Sequence, residues 1–160
     1  MRAAAYAAIA GTLALGGYCA CFLGGADAPI CPPDLQPTFG SINREILATS
    51  SCGANGSGCH SHDGALNSGG LDFSTDPYHA LLGADGGGAP AENIAGDAGR
   101  PLLRVVPGDP ADSFLVIKLT TTSSGDPRYG SGMPFNAPGS ICPSAIKTIE
   151  QWIDAGARND

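Results

Sequence analysis

The chain has few basic residues: 8 Lys and Arg stand against 15 Asp and Glu among its 160 residues, a formal net charge of −7. A protein that binds nucleic acid offers a basic surface to the phosphates, and docking on an anionic membrane face also needs positive charge. This balance argues against both classes of partner. The chain also lacks a Gly-x-Ser-x-Gly element or a comparable nucleophile arrangement, which argues against the common hydrolase designs.

Long apolar runs are also missing, because a transmembrane helix needs roughly 20 apolar residues and no segment reaches that length. The apolar stretch at residues 3–15 follows a basic residue and has the length of the apolar core of an export signal. We therefore predict that residues 1–20 are an export signal and that the protein acts in the periplasm or cell envelope. Cys21 follows Ala20 directly, as the lipid-bearing cysteine of a bacterial lipoprotein does, so a lipid anchor through Cys21 is a further hypothesis.

Glycine and proline are abundant, with 24 and 13 residues, which indicates modest regular structure and long loops. Such a domain buries a small core, so a cross-link or a bulky cofactor would help to stabilise it. Residues 21–37 have the composition of a tether, and residues 38–160 are predicted to form the folded domain. If Cys21 carries lipid, four cysteines remain in an exported environment that permits disulfides: Cys31, Cys52, Cys59 and Cys142.

Helix signals occur in four places. Apolar spacing and capping residues predict, in chain order, a helix over 38–50, a second over 77–82, a third that begins at Asp109 and a last one over 143–155. The Gly-rich acidic stretch 83–99 is predicted to be an exposed loop, and 124–139 a loop with Met133 at its tip. Together these signals predict an all-α domain whose first and last helices frame long Gly/Pro-rich loops.

The residues that carry chemistry are Cys52, Cys59 and His60. Two cysteines with a histidine directly after the second are the attachment signature for haem c, normally with two residues between the cysteines; here there are six. The insert is small and rich in glycine, so it can bulge out. Met133, the one methionine besides the initiator, can supply a second axial bond to iron, opposite His60.

Other interpretations of the same residues stay open. Cys52 and Cys59 can instead form a disulfide worth roughly 2–3 kcal/mol, with His60 an exposed polar residue. Cys31 and Cys142 then pair most economically with each other.

A zinc site is another interpretation, with four ligands of suitable type: Cys59, His60, His62 and Asp63. Four ligands within five residues cannot easily surround one ion. His79 is predicted to be a surface or packing residue, with a role as a substitute axial ligand as the alternative.

From residue 35 onward the chain resembles the small cytochrome c-like domains of exported bacterial proteins, including the planctomycete-type cytochrome c domain and myxobacterial putative lipoproteins. The resemblance lies in Cys-His at 59–60, Gly-Gly-Leu-Asp at 69–72, Val-Pro-Gly-Asp-Pro-Ala-Asp-Ser at 106–113, Gly-Met-Pro at 132–134 and Ile-Glu-Gln-Trp-Ile-Asp-Ala-Gly-Ala at 149–157.

The resemblance implies a cytochrome c-like fold and a haem c held by Cys52 and Cys59, with His60 as proximal and Met133 as distal ligand. It also implies contacts between the first and last helices through a residue set of Phe39, Ile149, Trp152 and Ile153.

Two hypotheses of different class follow. The first is an exported monohaem c-type cytochrome domain that passes single electrons to redox partner proteins and has no enzymatic activity. The second is a haem-free, disulfide-stabilised envelope domain that binds a partner or a carbohydrate.

Overall fold

The fold is available as a computed structural model, which describes residues 29–49, 59–61, 69–95, 101–123, 125 and 128–160. Its helices are α1 (Phe39–Ile42), which continues as a π-helical turn (Asn43–Leu47), α2 (Pro77–Leu82), α3 (Phe114–Thr120) and α4 (Pro143–Asp154). Its strands are β1 (Pro90–Ala95) and β2 (Pro101–Leu103), which pair antiparallel. The predicted export signal, Cys21 and the first part of the predicted tether lie outside the described residues.

The prediction of an all-α domain is wrong. Helices make up 32% of the described residues, and β1 and β2 form a two-stranded antiparallel sheet. β1 lies within the stretch 83–99 that was predicted to be an exposed loop, yet Ala91 is buried. The register is irregular, with Pro90 opposite Leu103 and Ala95 opposite Pro101. Pairing with a segment further along the chain, rather than any local periodicity, makes this strand.

Local signals predicted α2 and α4 well. The Asp76 side chain accepts a hydrogen bond from the amide of His79 at 3.1 Å, Pro77 occupies the first turn of α2, and Gly83 ends it with φ 73°. α4 begins at Pro143 as expected. Gly156, with φ 98°, ends it in a Schellman arrangement in which the amides after the helix donate to the carbonyls of its last turn.

The first predicted helix, over 38–50, is α-helical only at its start, because its second half is a π-helical turn. Thr38 caps α1 as predicted, because its side chain accepts from the amide of Ser41 at 3.3 Å. The helix then widens into the π-helical turn, where the amide of Ala48 donates to the carbonyl of Asn43 at 2.7 Å. The wider turn carries the buried pair Ile46 and Leu47.

α3 begins at Phe114, five residues after the predicted start at Asp109. The Asp109 carboxylate accepts from the amides of Ala111 and Asp112, both at 3.1 Å, and so closes a separate turn. Side-chain to backbone hydrogen bonds of this kind compete with helix formation. The buried hydroxyl of Ser113 donates to the Asp109 carbonyl at 2.8 Å, which fixes this turn ahead of the helix.

The core joins the first helix to the last. Phe39 packs on Trp152 with ring centroids 5.8 Å apart, and Ile149 and Ile153 of α4 are fully buried beside them. Burial of each such side chain contributes roughly 1.5–3 kcal/mol. This contact agrees with the one that the sequence resemblance implied, and it makes one face of α4 part of the hydrophobic core.

The segment before α1 is fastened to the start of α4. Ile30 forms a parallel bridge with Ile141, and its amide donates to the carbonyl of Ser140 at 2.6 Å. Cys31 and Cys142 form a disulfide with Cα atoms 5.3 Å apart, within the usual range. Within the described ranges, no helix has the length and apolar character to cross a bilayer.

Candidate functional site

A cavity of about 490 Å³ lies between the π-helical turn, β1, α3, residues 59–60 and 69–73, and the loop at 129–135. This volume is in the range of small-molecule and cofactor sites. Its walls are mostly apolar and include Ile46, Leu47, Leu71, Phe73, Leu81, Ala91, Ile94, Phe114, Leu115 and Leu119. Among the polar side chains that reach this cavity are the candidate ligands of the sequence analysis.

His60 lies in the wall of this cavity and is only 7% exposed. Its Nδ1 is 3.2 Å from the carbonyl oxygen of Leu71, and its own carbonyl accepts from the amide of Phe73 at 2.7 Å. The ring also packs on Phe73, with centroids 5.3 Å apart. In the tautomer in which Nδ1 donates to this carbonyl, the lone pair of Nε2 is available for a metal, the usual arrangement of a histidine ligand.

The surroundings of His60 favour its neutral form. Burial lowers the pKa of His60 below its ordinary value, the hydrogen bond with Leu71 opposes this, and the positive charges of Arg104 and Lys118 lower the pKa further. A metal ligand must be deprotonated, so the site holds the imidazole in the form that binds. The exposed imidazole of the disulfide interpretation does not describe this buried side chain.

Met133 lines the same cavity and is half-buried against the core. Its amide donates to the carbonyl of Lys118 in α3 at 2.8 Å, and the preceding amide, of Gly132, donates to Ser123 at 3.0 Å. The Met133–Pro134 peptide bond is cis. Two successive amides of the predicted loop, those of Gly132 and Met133, are thus hydrogen-bonded to α3 and to the residues just after it.

Cys59 is half-buried and also lines the cavity, next to His60 in the chain. Cys52 lies outside the described residues, as do His62 and Asp63 of the zinc interpretation. Among the residues described, no group of three or more His, Cys, Asp or Glu side chains is arranged to hold a metal ion. Cys59 and His60, which are adjacent in sequence, and Met133, which lies more than 70 residues later, all line this one cavity.

Two cavity residues escaped the sequence analysis: Arg104 and Lys118. Arg104 donates to the carbonyls of Ala80 at 2.7 Å and Gly69 at 3.0 Å. Burial lowers the pKa of the Arg104 guanidinium, and the charge of Glu92 opposes that shift; burial likewise lowers the pKa of Lys118. Within the described part of the chain, neither cation forms an ion pair with a carboxylate.

A sequence signal for these two cations exists in retrospect. Arg104 is a single basic residue between Leu-Leu and Val-Val, and Lys118 stands between Val-Ile and Leu. Long basic side chains can bury their stems against apolar groups, so an isolated cation in an apolar stretch is a candidate for a cavity wall.

His79 is not in the wall of this cavity. It is half-exposed and its Nδ1 lies 2.6 Å from Oδ2 of Asp76, a hydrogen bond that lowers the pKa of Asp76. The prediction of a surface residue is confirmed, and the geometry offers no support for a role as a substitute ligand.

Comparison with known proteins adds no identification: no family model, no curated protein and no solved structure matches this chain. The function of this chain is therefore inferred from the cavity and the residues around it.

Proposed function

We propose that this chain is an exported monohaem c-type cytochrome domain that carries single electrons between redox partner proteins and performs no substrate chemistry. The observation that supports the proposal is the convergence of Cys59, His60 and Met133 on one apolar cavity of about 490 Å³. An imidazole and a thioether are the axial pair of electron-transfer cytochromes. Lipid attachment at Cys21 would fix the domain to the cell envelope.

The residues at the cavity fit haem in three respects. The walls are apolar, as the porphyrin ring requires. Burial lowers the pKa of His60, which favours the neutral imidazole, and its Nδ1 lies 3.2 Å from the Leu71 carbonyl oxygen. Arg104 and Lys118 bring positive charge to the wall, where the two carboxylates of a haem would be stabilised.

Each group would have a separate role. Cys59, together with Cys52, would hold the haem by thioether bonds, His60 would be the proximal ligand and Met133 the distal ligand. Haem supplies an iron that changes valence by one electron. The apolar walls would keep water from the haem, and the thioether of Met133 would raise the reduction potential relative to an open site.

The test is the absorbance spectrum of the full-length exported protein, purified from a host that attaches haem c, oxidised and then reduced with dithionite. We expect a sharp reduced α-band, and colour that stays with the protein through denaturation and acid-acetone extraction. His60→Ala should lose this spectrum, whereas His79→Ala, which changes an exposed histidine away from the cavity, should keep it.

A colourless wild-type protein from the same host, with residues 52 and 59 joined as a disulfide, would refute the proposal and favour the haem-free envelope domain. Colour that is fully removed by acid-acetone would refute the covalent attachment through Cys59.

A further inference from the structure

Lys118 contacts the loop that carries Met133 through both its backbone and its side chain. Its carbonyl oxygen accepts from the Met133 amide at 2.8 Å. Its ammonium donates to the carbonyl of Tyr129 at 3.1 Å and also to that of Ser131. One residue of α3 therefore holds the loop at three points along residues 129–133.

The ammonium is held by neutral groups rather than by a carboxylate. It lies 5.6 Å from the ring centroid of Phe114, in a half-buried position where burial opposes its charge. Hydrogen bonds from a charged donor are roughly twice as strong as those between neutral groups. The carbonyls of Tyr129 and Ser131 replace the water that Lys118 has lost, so the loop and the ammonium stabilise each other's positions.

We infer that Lys118 is a positioning residue for the sulfur of Met133, which keeps the thioether at the cavity and limits its replacement by other ligands. The inference rests on the proposed function, because it concerns the axial bond of Met133 to haem iron. The effect of Lys118 on the sulfur would come through the loop, separately from the positive charge that it brings to the wall: its side-chain hydrogen bonds reduce the number of loop conformations in which the sulfur points elsewhere.

Arg104 provides a matched control. It is also a half-buried cation in the wall of the same cavity, and it also donates to two carbonyls. Those carbonyls belong to Ala80 and Gly69, which are not part of the loop at 129–133. Lys118→Met and Arg104→Met therefore each remove one positive charge from the wall, and only the first releases the loop.

The experiment compares the haem-loaded full chain as wild type, Lys118→Met, Lys118→Arg and Arg104→Met. Imidazole titration of the ferric form measures how readily an external ligand displaces the sulfur. The red charge-transfer band of sulfur bound to ferric iron and the exchange rate of the Met133 amide hydrogen are recorded in parallel.

We expect Lys118→Met to bind imidazole about tenfold more tightly than Arg104→Met, a difference of about 1.4 kcal/mol. Its red band should weaken and its Met133 amide should exchange faster. Lys118→Arg, which keeps a charged donor, should lie closer to wild type. If Lys118→Met does not fold, Lys118→Gln, which keeps one donor group, should shift in the same direction.

Equal imidazole affinity and equal red bands in Lys118→Met and Arg104→Met would overturn the inference, even if both variants were less stable than wild type. A wild type without haem would instead refute the proposed function, and a wild type with haem but without the sulfur band would refute the ligand role of Met133. The three failures are distinct.

Discussion

Replacement of Gly132 by alanine tests how closely the Met133 loop must approach α3. The added Cβ would lie 1.9 Å from the carbonyl oxygen and 2.8 Å from the carbonyl carbon of Thr121, and 3.1 Å from Cβ of Pro138. The first two atoms are backbone, so no side-chain rotation relieves the contact. Gly132 is therefore required by space, since its φ is not in the left-handed region.

The loss of stability in Gly132→Ala depends on whether the Met133 loop stays in place or moves away from Thr121. If the loop stays, overpacking of this kind costs about 1–3 kcal/mol. If it moves away, it loses the hydrogen bond from Met133 to Lys118 and that from Gly132 to Ser123, at about 1 kcal/mol each. Because the loop relaxes part of the way and takes whichever course costs less, we expect Gly132→Ala to lower the free energy of unfolding by about 1–3 kcal/mol.

Urea denaturation followed by circular dichroism measures this change, with Gly87→Ala as the control. Gly87 also has no left-handed φ, and the atom nearest its added Cβ is Asp85 Oδ1 at 3.6 Å, an ordinary contact. The control should therefore match wild type or be slightly more stable. A Gly132→Ala protein within 0.5 kcal/mol of the control would refute the reasoning about close approach, where 0.5 kcal/mol is about the effect of an ordinary surface substitution.

Two more predictions concern the proposed ligand Met133 and the disulfide between Cys31 and Cys142. Met133→Ala should lower the reduction potential or open the iron to external ligands; an unchanged potential and spectrum would contradict its ligation. Replacing Cys31 and Cys142 together by serine opens a disulfide between residues 111 apart in sequence, and the chain-entropy estimate is a loss of about 4–5 kcal/mol. Urea denaturation measures this loss, and a change below about 1 kcal/mol would mean that the unfolded chain is already constrained.

The helices that were predicted correctly owe their bounds to neighbours in sequence. Asp76 and Pro77 start α2, Pro143 starts α4, and Gly156 ends α4, all through contacts within a few residues. Such contacts can be predicted from local patterns. Residues 109–112 could begin a helix or form a turn closed by the Asp109 carboxylate. The turn is the more stable of the two here, so α3 begins later than predicted.

The strands were missed because their cause is not local. Residues 90–95 have no alternation of apolar and polar residues and lie beside glycines and acids. They become a strand by pairing with residues 101–103, and glycine allows the close approach at Gly88, where an added Cβ would lie 2.4 Å from the carbonyl oxygen of Val105. The all-α prediction failed at this point, and the missed strand supplies one wall of the cavity.

For the site, residue chemistry was predictable and the surroundings were not. His60 and Met133 stand out by type and order, but sequence does not reveal that His60 is buried with its Nδ1 on a carbonyl. Arg104 and Lys118 carry no motif, so their place at the cavity depends on the folding of distant segments. Haem attachment through Cys52, across the six-residue gap before Cys59, stays a prediction, because Cys52 lies outside the described residues.

These two cations bear on the choice between a haem-bearing and a haem-free domain. The chain has 8 basic residues and a net charge of −7, yet Arg104 and Lys118 are placed in an apolar wall where burial opposes their charge. Backbone carbonyls compensate part of that desolvation. In a haem-free domain these hydrogen bonds would be the only use of the two charges, whereas a ligand with carboxylates would use the charges directly. Two cations and one carboxylate, Glu92, thus line an otherwise apolar cavity, and the proposed haem, with an apolar ring and two carboxylates, is consistent with that lining.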